Sequence, residues 1–291
     1  LADDNADHAT DLRVTRNATW KLSGDVVAQS INLIFVAYVA RTLGVTGFGV
    51  LTTGLVLTEV CAQLAEGGIN TLVTRDVSQK KNRWFSYLRD SLGLRLATAL
   101  PLVAASTAFA WLLDYDLVTI QVVAILALFA AVNLMAGIFL ALCQAFEALK
   151  YGAVGRTVES FARLFGAVLI LRSTNSPTAV ALVYVLAGFV LLMTLTWLFI
   201  RRFGSAGIRF RPHQWRNLLS KSRPFWAIGV LALLTGRVGP LILSVLAGPL
   251  AIGLFMAAFK LRDVLGGIPI AITSSALPVF VKHRFAAQNL R

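Results

Sequence analysis

The sequence predicts an all-α membrane protein, a polytopic bundle of about eight transmembrane helices. Hydrophobic residues make up 57% of the 291 residues, and the mean hydropathy is +0.73. Soluble domains contain roughly 45–50% apolar residues, so this chain carries more apolar surface than a soluble core can bury. Apolar stretches of about 20 residues recur along the chain, which is the length needed to cross about 30 Å of hydrocarbon.

Eight such stretches can be placed by hydropathy alone. In chain order they are Leu22–Val39, Phe48–Ala65, Ser91–Leu113, Leu117–Ala141, Val154–Leu171, Thr178–Ile200, Phe225–Leu246 and Leu250–Ser274.

The charges predict how these segments are oriented. The net charge is +13, and the basic clusters fall in alternate loops, for example Arg75–Arg89 and Arg201–Arg223, whereas the opposite loops hold only Arg41 and Arg172. Cytoplasmic loops of membrane proteins carry this excess of Lys and Arg. We therefore expect a multi-pass protein of the cell (inner) membrane with both termini in the cytoplasm. The basic loops would face anionic lipids, and nucleic acid is not an expected partner.

Metal or cofactor chemistry is not indicated. The three histidines, His8, His213 and His283, are scattered through predicted cytoplasmic segments. Cys61 lies within an apolar segment and Cys143 at the end of one, so both are interpreted as packing residues.

Polar residues recur within the apolar segments at helical spacing. Asp25, Gln29 and Asn32 share one face of the first segment, because residues three and four apart are neighbours on a helix. The full set of candidate cavity residues is Asp25, Gln29, Asn32, Glu59, Gln63, Arg156, Glu159, Arg163, Arg237, Lys260, Arg262 and Asp263.

These polar residues allow two interpretations. They either join helices by hydrogen bonds or line a hydrated cavity, because charges inside spans are costly and usually functional. We expect a cavity enclosed by segments one, two, seven and eight. Its cations, which include Arg163 and Arg237, would outnumber its deep acids and favour an anionic solute.

The basic stretch Arg201–Arg223 contains interleaved apolar residues, which is typical of an interfacial helix on the inner leaflet. It predicts a linker, 204–223, between two parts of the bundle. The predicted organisation is a cytoplasmic tail (1–16), a first lobe (17–203), this linker, and a last part (224–291).

Five stretches occur in order along the chain: NATW at 17–20, VARTLGVTGFG at 39–49, LAEGGI at 64–69 with TRD at 74–76, IGLFMAAFKL at 252–261 and IPIAITSSALP at 268–278. Together they resemble the oligosaccharide flippases of polysaccharide biosynthesis, within the multidrug/oligosaccharidyl-lipid/polysaccharide exporter superfamily. The resemblance spans nearly the whole chain.

The resemblance implies two six-helix lobes that face each other across a cavity and move a polyprenyl-pyrophosphate-linked oligosaccharide by alternating access. Deep Arg and Lys residues would neutralise the pyrophosphate, and the partners would include a glycan polymerase or glycosyltransferases. Members of this family have twelve to fourteen spans, so eight correspond to the first lobe and the first two helices of an incomplete second lobe. The protein would be a transporter without enzymatic activity or a cofactor.

Three other functions stay open at this stage. A cation-coupled multidrug or small-molecule exporter of the same superfamily would use acids such as Asp25 and Glu59. A membrane sugar transferase would depend on Asp114 and Asp116. A truncated remnant would not transport at all.

Overall fold

In the computed structural model, residues 2–204, 212–248 and 250–259 are described, with side-chain surroundings from Gly24 onward except for Pro212 and Arg237. Every regular element in these ranges is helical. The prediction of an all-α fold is confirmed.

The helices follow one another with short connections. They are α1 (Ala2–Glu66), α2 (Ile69–Gln79), a 3₁₀ turn (Lys81–Arg83), α3 (Trp84–Leu112), α4 (Leu117–Ala145), α5 (Leu149–Ile170), α6 (Pro177–Phe203), α7 (Pro212–Leu246) and α8 (Leu250–Phe259).

Helix α1 contains a sharp reversal at Gly44, whose φ of 68° and ψ of 178° are not helical. Asn32 and Glu59 line the same cavity, although a continuous helix would hold them about 40 Å apart. The part before Gly44 and the part after it are therefore the two sides of a hairpin, here called the first and second arms of α1. Glycine permits the reversal because it has no Cβ to oppose a positive φ.

All eight predicted segments correspond to helices. Segments one and two are the arms of α1, segments three to seven are α3 to α7, and segment eight begins as α8, with its remainder outside the described residues. Four of the described helices are long and apolar enough to cross a membrane, or five when the bent α7 is counted as one span. The chain is a multi-pass membrane protein.

Helix α2 was not predicted, because its residues were assigned to a basic loop. Ile69, Leu72, Val73 and Val77 are buried, at the spacing of one helix face. This apolar face packs on α4 and α7. The helix ends at a 3₁₀ turn, after which α3 begins at Trp84, seven residues before the predicted start of segment three.

Of the predicted interfacial stretch Arg201–Arg223, residues 201–204 and 212–223 are described. Helix α6 continues to Phe203, and residues 212–223 form the start of α7, which passes through Pro224 to Leu246 and bends by 52° between Gly236 and Val238. The apolar side chains of this stretch were expected to face lipid. Instead, Leu218 is buried, and Trp215 and Phe225 pack against the core cluster of α2, α3, α4 and α6.

Two apolar clusters hold the bundle together at its opposite ends. Phe199 lies at the centre of the first, where its ring meets Trp84 at 5.4 Å and Phe139 at 5.7 Å between centroids. The second surrounds Phe35 and Tyr184, whose ring centroids are 5.5 Å apart. We call the end that holds Gly44 the Gly44 end, and the end that holds the α2–α3 turn and the start of α7 the basic end.

A buried arginine joins α1, α2 and α3. Arg95 is 2% exposed, and it donates hydrogen bonds of 2.7 and 2.8 Å to the carbonyl oxygens of Ala65 and Glu66. The Glu66 carboxylate accepts from the backbone N–H groups of Gly68 and Asn70. The last carbonyl groups of a helix and its first N–H groups have no hydrogen-bond partner within the helix. Here the Arg95 side chain bonds the carbonyl groups that end α1, and the Glu66 side chain bonds the N–H groups at the start of α2.

Gly67 and Gly68 provide a matched test of how α7 docks on this turn. Both have a positive φ, 64° and 69°, but only at Gly68 would a Cβ clash with backbone, 2.4 Å from the Trp226 nitrogen and 2.7 Å from the Ser222 oxygen. Gly67→Ala and Gly68→Ala share a left-handed strain of about 1 kcal/mol. We expect Gly68→Ala to be a further 2 kcal/mol or so less stable, because overpacking displaces α7. Thermal unfolding of both variants in detergent checks this, and equal melting temperatures would contradict the observed docking.

Candidate functional site

A cavity of about 390 Å³ lies between the arms of α1 and helices α4, α5, α6 and α8. Its wall is mostly apolar, with Phe35, Leu51, Leu55 and Phe129 among the lining side chains. The polar side chains that line it are Asn32, Thr52, Thr58, Glu59, Asn133, Arg163 and Tyr184.

Three of the predicted site residues meet in this cavity. Asn32 comes from the first arm of α1, Glu59 from the second arm and Arg163 from α5. They are distant in sequence, and the reversal at Gly44 brings the first two together. Asn133 of α4 adds a second amide.

Arg163 is held in a cage of rings and a carboxylate. It forms an ion pair with Glu159, one turn earlier on α5, and its guanidinium carbon lies 4.7 Å from the Tyr184 ring centroid, 5.7 Å from that of Phe129 and 5.9 Å from that of Phe35. An aromatic face attracts a cation at these distances. The Arg163 Nε is buried and has no hydrogen-bond partner among the described residues.

The pairing with Glu159 changes the predicted charge of the cavity. A carboxylate in contact with Arg163 offsets its positive charge locally. Among the described lining residues, the remaining charged side chain is Glu59. The expected cationic excess is therefore not found in the described part of the wall. The side chain of Arg237 and the residues Lys260, Arg262 and Asp263 lie outside what the structure describes.

The other predicted site residues lie elsewhere. Asp25 and Arg156 line a second cavity of about 230 Å³ near the basic end, together with Cys143 and Gln144. Gln29 is exposed. The Gln63 amide packs on α7, because a Cβ on Gly229 would lie 2.7 Å from its Nε2.

Segment seven was expected to enclose the cavity, but no described residue of α7 lines it. This expectation is wrong for the described side chains because α7 packs along the second arm of α1. Leu241 contacts the clusters around Val56 and Leu57, and Trp226 donates a hydrogen bond of 3.0 Å to the Leu64 carbonyl. Segments four, five and six take its place in the wall.

Sequence reasoning did not select Tyr184, Phe35 or Phe129 as site residues. Each lies in an apolar segment where an aromatic residue looks like ordinary packing, and only the fold brings their rings around Arg163. Asn133 carried a usable signal, since it is an amide within a span of mean hydropathy 2.5. No group of three potential metal ligands occurs among the residues that the structure describes.

The family assignment follows from a sequence match that covers most of the chain. The family described as "Polysaccharide biosynthesis protein" matches residues 14–283. The chain belongs to this family. The resemblance of the five sequence stretches is thereby confirmed, and no curated protein matches the chain.

Solved structures support the fold. The chain is similar to a MATE protein in complex with MaD3S, with a TM-score of 0.63 and 15% identity over 90% of this chain and 64% of that one. It is also similar to a MATE protein in complex with Br-NRF, with a TM-score of 0.55 and 15% identity over 90% of this chain and 67% of that one. These likenesses show the fold, and the chain spans about two thirds of the length of the solved proteins that it matches.

A double-mutant cycle tests the Arg163–Glu159 pair. Glu159→Gln leaves the caged guanidinium without its carboxylate, and we expect it to lower the free energy of unfolding by about 2–4 kcal/mol. Arg163→Gln combined with Glu159→Gln should recover part of this loss, with a coupling of about 1–3 kcal/mol. Unfolding in detergent measures all four proteins. Arg156→Gln, on the same helix, is the control, and additive losses would contradict the pair.

Proposed function

We propose that this chain forms part or all of a flippase that moves a polyprenyl-pyrophosphate-linked oligosaccharide across the inner membrane by alternating access. The observation that carries the proposal is the amphipathic cavity, in which two amides and a caged arginine stand among aromatic rings. Membership of the polysaccharide biosynthesis family supports the same substrate class. The glycan would be an O-antigen unit, an exopolysaccharide unit or a similar precursor.

The cavity suits a glycan because a sugar has both polar and apolar faces. The Asn32 and Asn133 amides can donate and accept hydrogen bonds with sugar hydroxyls. The rings of Phe35, Phe129 and Tyr184 offer the apolar faces on which the C–H side of a sugar can pack. A binding site that combines a mainly apolar wall with a few placed polar groups is typical of small-molecule sites.

Arg163 is the described cation that can reach a phosphate group of the carrier. Its guanidinium lines the cavity, so a phosphate oxygen can accept from one of its N–H groups while Glu159 holds the rest of the guanidinium in place. Arg237, Lys260 and Arg262 remain predicted additional cations. The prenyl tail would stay in the surrounding lipid.

Alternating access would open and close two contacts, one between α1 and α8 and the other between α1 and α7. At the Gly44 end, a Cβ on Gly253 of α8 would lie 2.8 Å from the Val45 oxygen and 3.1 Å from the Gly49 Cα. At the basic end, Trp226 of α7 is bonded to Leu64. If the lobes are 17–203 and 224–291, joined by 204–223, one contact must open while the other stays closed.

Orientation and partners follow the same proposal. The basic end would face the cytoplasm, where the precursor is made, and the Gly44 end would face outward. Both termini would then be cytoplasmic. A glycan polymerase or the glycosyltransferases that build the precursor would act next to the protein, and anionic lipids would surround the basic end.

A cation-coupled exporter is a second candidate function, because Glu59 lines the cavity and Arg163 is paired with Glu159. A cavity without a cationic excess in its described wall also suits a cation-coupled exporter of a small molecule. In that case Glu59→Gln would abolish transport and raise drug sensitivity, while surface polysaccharide would be unchanged.

Replacement of Arg163 in cells tests the flippase. We expect Arg163→Gln to lower surface polysaccharide about tenfold or more, since a charge-assisted hydrogen bond contributes about 1.5–3 kcal/mol. Arg163→Lys should be intermediate, because an ammonium lacks the planar fork of a guanidinium. Surface glycan and lipid-linked precursor on the inner leaflet are the two measurements.

The control is Arg172→Gln, an exposed arginine in the turn before α6, which should leave both quantities unchanged. Protein levels in the membrane must be equal for all variants. Normal surface polysaccharide in Arg163→Gln would contradict the proposed role of the cavity.

A further inference from the structure

A further polar cavity, of about 330 Å³, lies at the basic end between α3 and α7. We infer that it binds a phosphate ester that carries a hydroxyl group, as in the head group of phosphatidylglycerol. This site is separate from the glycan cavity, and the inference does not depend on the proposed transport function.

The cavity is formed by one face of each helix. Arg83 stands at the end of the 3₁₀ turn, while Gln214, Asn217 and Lys221 follow at spacings of three and four on α7, which places them on one face. The ligand would therefore contact α3 and α7 together.

The charges in and around this cavity favour an anion. Arg75 is paired with Asp76 at 2.7 Å, and the Arg89 Nε lies 3.6 Å from the Asp90 Oδ1. Burial raises the pKa of Asp76, but hydrogen bonds from Tyr87 and Arg75 and the charges of Arg75 and Lys221 outweigh it and lower the pKa below its ordinary value. Arg75 is the cation in direct contact with Asp76.

Arg83 and Lys221 are the cations that line the cavity. Neither lies within ion-pair distance of a described carboxylate, and Lys221 acts on Asp76 only at longer range. The Gln214 and Asn217 amides make no hydrogen bonds within the described ranges and can donate alongside them. Two cations and two amide donors around one space match the oxygens of a phosphate group.

Asp90 identifies the second part of the ligand. It is 8% exposed and lines the cavity. Its Oδ1 makes no hydrogen bond in the described structure, and the Arg89 Nε lies 3.6 Å from it. A hydroxyl group next to the phosphate would donate to the Asp90 carboxylate, whereas a bare phosphate would not. The ligand is therefore a hydroxylated phosphate ester.

Binding can be measured on the purified whole protein. Phosphatidylglycerol is titrated into the protein in a neutral detergent, and bound lipid is counted by native mass spectrometry. We expect Arg83→Gln with Lys221→Gln to bind about tenfold more weakly, from the loss of charge-assisted hydrogen bonds. Lys81→Gln with Arg216→Gln removes the same charge from two exposed residues outside the cavity and should bind normally.

Two further experiments identify the ligand. Competition with sn-glycerol 3-phosphate distinguishes a soluble phosphate ester from a lipid head group. Displacement of the lipid indicates a soluble ester as the ligand, and persistence of the lipid indicates the membrane head group. Asp90→Asn should reduce the preference for phosphatidylglycerol over phosphatidic acid, because a neutral amide oxygen is a weaker acceptor than a carboxylate.

The inference is overturned if both double variants weaken binding equally, since that shows a diffuse attraction to the basic end rather than a site. It is also overturned if phosphatidylglycerol binds no better than phosphatidylcholine. Melting temperatures without ligand confirm that each variant is folded.

Discussion

The structure depends on how it accommodates charge within an apolar bundle. An unpaired charge is costly away from water, and Arg95 and Arg163, two arginines within the described helices, are both compensated. Arg95 satisfies the carbonyl groups that end α1, and Arg163 is paired with Glu159 inside a ring of aromatic residues. The first arginine fixes the turn on which α7 docks, and the second sets the shape and charge of the cavity. Fold and candidate function therefore have one physical cause.

Much of the fold could be predicted from the sequence, because span length and the distribution of Lys and Arg depend on the bilayer rather than on tertiary contacts. All eight apolar segments correspond to helices as far as their residues are described, the last of them only over Leu250–Phe259. The short helix Ile69–Gln79 and the course of Pro212–Leu246 through Pro224 could not be predicted in the same way. In both, an amphipathic face packs on the first part of the bundle, and sequence pattern cannot distinguish protein from lipid as the apolar surroundings.

The site was predictable in part. Asn32, Glu59 and Arg163 were selected because polar residues in spans are rare, and the fold brings them to one cavity. Of the helices predicted to enclose it, both arms of α1 and α8 line it, whereas no described residue of α7 does and α4, α5 and α6 contribute instead. The polar stripe of the first arm divides between two cavities, and the aromatic cage has no sequence signal. Arg95 was overlooked as a buried cap, because its partners are backbone carbonyls, which no side-chain pattern reveals.

Photo-crosslinking from the cavity tests the central claim most directly. A photoreactive residue is placed at Leu55, which lines the cavity, or at Leu128, a leucine that is 45% exposed on the outside of α4. The full protein in membranes is then illuminated with a lipid-linked oligosaccharide that carries its label in the glycan. The account predicts labelling from position 55 and none from position 128. Equal labelling from both, or labelling from position 128 alone, would show that the glycan does not enter this cavity.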